Sequence, residues 1–178
     1  MSAPAATRRL FIASWPSEVT RSAAMLAARE VLAAAGGRRV DPAGLHVTLG
    51  FLGSVGANRV EEVAAAMRSI RSEPFDYCFD TLASWPGARV LALTQRDAPP
   101  AAVRLVERLW AVLEPLGFVP ERRPHRPHVT LARKIAGPPI RQAIPPVVWP
   151  VRDIFLVESR SSPDGSVYEP IAAHDLSA

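Results

Sequence analysis

Leu45-His46-Val47-Thr48-Leu49-Gly50-Phe51-Leu52 (LHVTLGFL) is rich in β-formers and reads as a strand. Successive side chains on a strand point to opposite faces. His46 and Thr48 therefore share one face, and Val47 and Leu49 the other. At about 3.3 Å of rise per residue, the His and Thr Cα atoms stand roughly 6.6 Å apart along the strand. The apolar pair suits burial against helices, and the polar pair faces an opening. The same word returns as His128-Val129-Thr130-Leu131, inside RPHVTLARK (Arg126 to Lys134), which is again a strand by composition. The chain has four histidines, and this word uses one in each half. A duplicated architecture is the expectation.

Outward from the two motifs, the chain alternates irregularly. Arg8 to Ser14 (RRLFIAS) reads as a first strand, and the Ala-rich stretch Ser17 to Ala35 as a helix stopped by Gly36-Gly37. Asp41-Pro42 and Gly44 mark a turn. Asn58, with Glu61 three residues on, suits an N-cap, and Val60, Val63, Ala64, Met67 and Ile70 continue at helical spacing. Phe75 to Leu82 and Ala88 to Thr94 read as strands joined through Trp85-Pro86-Gly87. The stripe Ala102, Val106, Leu109, Trp110 and Leu113 makes Pro99 to Leu116 a helix closed by Gly117. Phe118 to Arg122 reads as a short strand. Gly137 to Pro146 holds four prolines and reads as a connection. Val151 to Arg160 and Ser166 to Ala172 form a hairpin around Pro163-Asp164-Gly165. Hairpins interspersed with helices, without βαβα alternation, predict an α+β fold with largely antiparallel sheets.

The 178 residues, 48% hydrophobic and 21% charged, suit one domain or two small lobes sharing a core. No apolar run approaches a membrane span, and Leu10 to Ala13 is too short for a signal-peptide core, so a cytoplasmic protein is expected. Cys78 is the single cysteine, which excludes an intrachain disulfide and a thiolate metal cluster. The net charge is +4, carried almost wholly by arginine, since Lys134 is the one lysine. A basic balance favours an anionic partner such as nucleic acid. Locally, Arg122, Arg123, Arg126, Arg133 and Lys134 crowd around His128 in the sequence.

Two imidazoles and two hydroxyls fit the cleavage of a phosphodiester by water. One neutral imidazole takes a proton from water, and one protonated imidazole gives a proton to the leaving oxygen. An unperturbed pKa of about 6.5 supports both roles. Threonine hydroxyls donate to the non-bridging oxygens as charge grows there. Nearby arginines hold the phosphate. No acidic cluster at metal-ligand spacing appears, so no metal and no cofactor is expected. His125 and His128 have H-x-x-H spacing, but three residues apart on a strand they point to opposite faces. His174, near the C-terminus, is expected at the surface.

The pair LHVTLGFLG (Leu45 to Gly53) and RPHVTLARK resembles the two signatures of the 2H phosphoesterase superfamily. More narrowly it is similar to the bacterial and archaeal RNA 2',3'-cyclic phosphodiesterases, also called 2'-5' RNA ligases. RLFIA near the start, PLGFVPERRP before the second motif and the ending FLVESRSSPDGSVYEPIA extend the likeness over nearly the whole chain. The resemblance implies a bilobal, LigT-like α+β fold. In it, two mainly antiparallel sheets face across a central cleft with helices outside. By the same resemblance, residues 1–178 would form a single catalytic domain of two pseudo-symmetric lobes, each carrying one motif (46–49 and 128–131). It implies hydrolysis of RNA ending in a 2',3'-cyclic phosphate, or of a cyclic nucleotide, to a 2'-phosphomonoester by a monomer. His46 would be the proton donor to the leaving 3'-oxygen, and His128 the proton acceptor from water. Thr48 and Thr130 would bind the phosphate, and Arg126, Arg133 and His125 further parts of the substrate. His125 departs from the aromatic residue expected at its position.

Two other readings compete. The same motifs serve other substrates, such as a 2'-5' oligonucleotide, a small cyclic nucleotide derivative or the ends joined in 2'-5' ligation. A non-catalytic RNA-end-binding module is the alternative of another class. It needs only positive charge and stacking aromatics, not intact His and Thr in both motifs.

Overall fold

The structure is a computed structural model and describes residues 6–163 and 165–177. The first strand, β1 (Thr7–Ser14), runs into Ser17, whose Oγ accepts from the Thr20 amide at 3.1 Å and so starts α1 (Glu18–Ala35). A two-residue strand, β2 (Arg38–Arg39), precedes the first motif strand, β3 (Val47–Gly56). Then come α2 (Val60–Arg68), β4 (Phe75–Trp85), β5 (Val90–Thr94) and α3 (Pro100–Leu113). The second motif strand, β6 (His128–Arg133), is followed by β7 (Arg141–Val151), β8 (Asp153–Ser162) and β9 (Gly165–Asp175).

This is the expected α+β class, and every strand pairing is antiparallel. The strand order is β7-β4-β5-β6-β3-β1-β8-β9, with β2 beside β6. The path crosses its middle through one residue pair, Val47 opposite Val129. One set of strands therefore hangs from each motif strand, and the two sets meet where the motifs meet.

Val47, Leu49, Val129 and Leu131 are buried, as their alternation with His and Thr requires. Each contributes roughly 1.5–3 kcal/mol by leaving water. They join one core with Ala24, Ala28 and Leu32 of α1 and Leu105 and Leu109 of α3. The helices thus cover the face opposite the polar residues. Gly50 lets β3 pack tightly on α3, since a Cβ there would lie 3.1 Å from the Trp110 ring and would need that ring to shift. Gly37 has a φ of +76° and lies so close to β6 that a Cβ would meet the Arg133 carbonyl oxygen at 2.6 Å.

Several local expectations are corrected. Residues 137–146 are not merely a connection, since β7 begins at Arg141. Among the described residues β7 pairs with β4 alone, and an edge strand tolerates proline because its outward amides need no partner. Phe79 pairs with Val147 and Thr81 with Ala143, so Ile144, Pro145 and Pro146 bulge opposite Asp80. Residues 118–122 form no strand. Asn58 does not cap α2. It lies in a 3₁₀ turn, Ala57–Arg59, and the helix starts at Val60 without a side-chain cap. His174 is buried, not superficial: its Nε2–H donates to the Ile70 carbonyl, just beyond α2, at 2.7 Å. In the β8–β9 turn, Asp164 lies outside the described residues. No helix among the described residues is long and apolar enough to cross a membrane.

Candidate active site

The antiparallel register around Val47 and Val129 decides how the motifs meet. One residue to either side, it sets His46 across from Thr130 and Thr48 across from His128. All four lie on the face away from the helices, and all four line one cavity of about 400 Å³. Arg133 lines the same cavity, together with Arg9. Among the described residues no carboxylate lines it, and Arg9 and Arg133 make it a concavity suited to an anion.

Both imidazoles are held in the same way. His46 Nδ1–H donates to the Gly44 carbonyl at 2.7 Å, and His128 Nδ1–H donates to the Arg126 carbonyl at 3.0 Å. In each case the acceptor belongs to the residue two positions earlier. This fixes the tautomer and leaves Nε2 as the reactive atom, a base when bare and an acid when protonated.

Their surroundings differ. His46 sits among aromatic rings: Trp15 stacks on it at 5.0 Å between centroids, Phe11 lies at 5.0 Å, and Tyr168 meets it edge-on at 4.9 Å. Burial pushes its pKa down to about 4, against the pull of the Gly44 carbonyl, and the charges of Arg133 and His128 lower it further. His128 is flanked by Trp85, edge-on at 4.8 Å.

Of the residues expected at the site, His46, Thr48, His128, Thr130 and Arg133 come together in this cavity. His125 and Arg126 do not line it; they line an adjoining one. His125 Nε2 and the hydroxyl of Tyr77, which is wholly buried, share a hydrogen bond at 3.0 Å. Burial and the nearby His128 lower the His125 pKa to about 4. Arg122, Arg123 and Lys134 line neither cavity.

Sequence reasoning missed the aromatic surround of His46, the Trp85 wall, and Ser159, Ser161 and Ser166, which also line the cavity. Trp15 follows β1 and Tyr168 lies on β9, far from either motif, and no spacing rule links them to His46. Among the described residues, no group of three or more His, Cys, Asp or Glu side chains is placed to hold a metal ion.

Paired His-x-Thr strands, joined back to back across one antiparallel pair over a positive cavity, are the architecture of the two-histidine phosphoesterases. The model of the family described as LigT like phosphoesterase matches residues 14–92. The RNA 2',3'-cyclic phosphodiesterase of Thermus thermophilus is 34% identical over 94% of this chain and 90% of its own length. The Escherichia coli protein of the same name is 33% identical, over 54% of this chain and 55% of that one. The crystal structure of E. coli LigT complexed with 3'-AMP superposes with a TM-score of 0.86 at 25% identity, covering 97% of this chain and all of that one. The chain belongs to the LigT-like phosphoesterase family within the 2H superfamily.

Proposed function

We propose that this chain is an RNA 2',3'-cyclic phosphodiesterase, with His46 as proton donor and His128 as proton acceptor. The relatives carry that name, and the E. coli structure holds 3'-AMP, a ribonucleotide with a terminal phosphate. The reaction opens the cyclic phosphate to a 2'-phosphomonoester. His128 Nε2 takes a proton from water as its oxygen attacks phosphorus. The P–O3' bond breaks on the opposite side, and His46 Nε2–H protonates O3'. Thr48 and Thr130 donate to the two non-bridging oxygens, on which charge accumulates. Arg133 adds a positive charge at the rim.

The observation that carries this reading is the single Val47–Val129 pair. Because the strands run in opposite directions, the motifs enter the cavity from opposite ends. An acid and a base on either side of one phosphorus are what in-line displacement needs. The free protein holds His46 neutral near pH 7 because the site is desolvated. A bound phosphodiester anion reverses this by stabilising the imidazolium, so the donor acquires its proton with the substrate.

The proposal extends to organisation: one catalytic domain of two pseudo-symmetric lobes, a monomer, at work in the cytoplasm. In support, each motif strand carries three further strands in sequence, β5, β4 and β7 on one side and β1, β8 and β9 on the other.

The test is hydrolysis of a dinucleotide ending in a 2',3'-cyclic phosphate, with the product read by ³¹P NMR. A 2'-phosphomonoester is expected. A 3'-phosphomonoester would reverse the leaving oxygen, and no turnover would refute the assignment.

A further inference from the structure

Beside the catalytic cavity lies a second one, of about 540 Å³, within the range of ligand sites. The two share Trp85, which is 37% exposed. Their floors are continuous: His128 pairs with Thr94, and Thr94 pairs with Thr81, so three residues on one sheet face lead from the acid–base site into the second cavity. Ala83 and Ala92 stand opposite one another in the next row, and their small side chains leave the passage open.

The second cavity is rimmed by Arg96, Arg126 and Arg141, against one carboxylate, Asp97. All three arginines are exposed, and none forms an ion pair among the described residues. His125 lines the wall with its Nε2 already occupied by the Tyr77 hydroxyl. Its Nδ1 has no hydrogen-bond partner among the described residues and is free to meet a ligand. Three cations, an imidazole and an indole shared with the first cavity match the phosphodiester groups and flat base of a single-stranded polynucleotide.

We propose that this second cavity binds the nucleotide next to the cyclic end of an RNA chain. Arg96, Arg126 and Arg141 hold its phosphodiester groups, and Trp85 stacks its base as the strand passes from one cavity to the other. The enzyme then prefers polynucleotide ends over mononucleotide cyclic phosphates. This rests on the cyclic phosphodiesterase reading of the first cavity.

The test compares kcat/KM for a mononucleotide 2',3'-cyclic phosphate, a dinucleotide and a trinucleotide with the same end, in the unaltered protein and in the double variant Arg96→Gln/Arg141→Gln. The unaltered protein should favour the dinucleotide by about tenfold or more, the size of one stacked base plus a phosphate contact. That advantage should shrink with added salt. The double variant should lose most of it while hydrolysing the mononucleotide at the unaltered rate. Equal kcat/KM for mono- and dinucleotide, or an advantage that the variant fully retains, would overturn the proposal and leave the first cavity's assignment standing. Failure to hydrolyse any of the three substrates would count against the cyclic phosphodiesterase reading itself. A circular dichroism melt of the variant establishes that it is folded.

Discussion

Trp15 lies flat against His46, with ring centroids 5.0 Å apart and planes inclined by 18°. The indole is fixed in turn, since its Nε1–H donates to the Ala43 carbonyl at 2.9 Å. Stacking removes water from one side of the imidazole and disfavours its charged form. The Trp15→Ala change should therefore raise the His46 pKa from about 4 toward its ordinary value near 6.5. In the unaltered protein, kcat/KM should show a limb near pH 4. The same limb in kcat should lie higher, because bound phosphodiester favours the imidazolium. NMR titration of the His46 ring, beside pH–rate profiles, checks both statements. An unchanged His46 pKa in the variant would mean that the indole is not what desolvates it.

The threonines make a separable contribution. Thr48 and Thr130 each stand across from the other motif's histidine, in reach of a phosphate between them. Replacing either with valine keeps the shape and the β-branched backbone preference but removes the donor. The expected loss is roughly 10²-fold in kcat, with a smaller change in KM, because the hydrogen bond strengthens as charge develops. A large rise in KM at unchanged kcat would make the hydroxyls ground-state binders only.

His46 and His125 both have folded-state values near 4, below about 6.5 for the unfolded chain. Between these values the unfolded chain binds protons that the folded protein does not. Stability should therefore fall as the pH drops from about 6.5 to 4, by at most about 1.4 kcal/mol per pH unit for each histidine. His125→Gln keeps an acceptor for the Tyr77 hydroxyl but removes the titration. Urea unfolding as a function of pH should show a shallower slope in this variant. An identical slope would mean that His125 titrates normally in the folded protein.

The motif strands were legible because period-2 alternation writes the two faces directly into the residues. His46 and Thr48 separate from Val47 and Leu49 without knowledge of the rest of the fold. The extent of α1 was legible for an equally local reason, since its Ala-rich stretch ends at Gly36-Gly37 and the helix observed is Glu18–Ala35. β7 was not, because prolines 145, 146 and 150 argue against a strand unless its edge position is known, and that position is tertiary information. His174 failed likewise: proximity to the C-terminus suggests exposure, whereas β9 carries it under α2. The aromatic box assembles residues from β1, β9 and the turn after β1, so its effect on His46 exists only in three dimensions. Arg126 was placed by sequence beside His128. The fold gives its carbonyl to that imidazole and its side chain to the neighbouring cavity.

The division of labour between the histidines predicts an asymmetric response to the leaving group. A substrate with a much more acidic leaving alcohol needs little help from a proton donor but still needs its nucleophile activated. Such a substrate should restore His46→Ala substantially and His128→Ala hardly at all. Rescue of His128→Ala instead would exchange the two roles.

The most direct measurement is the single-turnover rate of the unaltered protein, His46→Ala, His128→Ala and the double variant on one RNA dinucleotide with a 2',3'-cyclic phosphate end. Each single change should slow cleavage by about 10²- to 10⁴-fold. The double change should cost less than the product of the two, since both residues act on one transition state. If neither single variant were slowed even tenfold, the two imidazoles would not be the acid and base of this reaction.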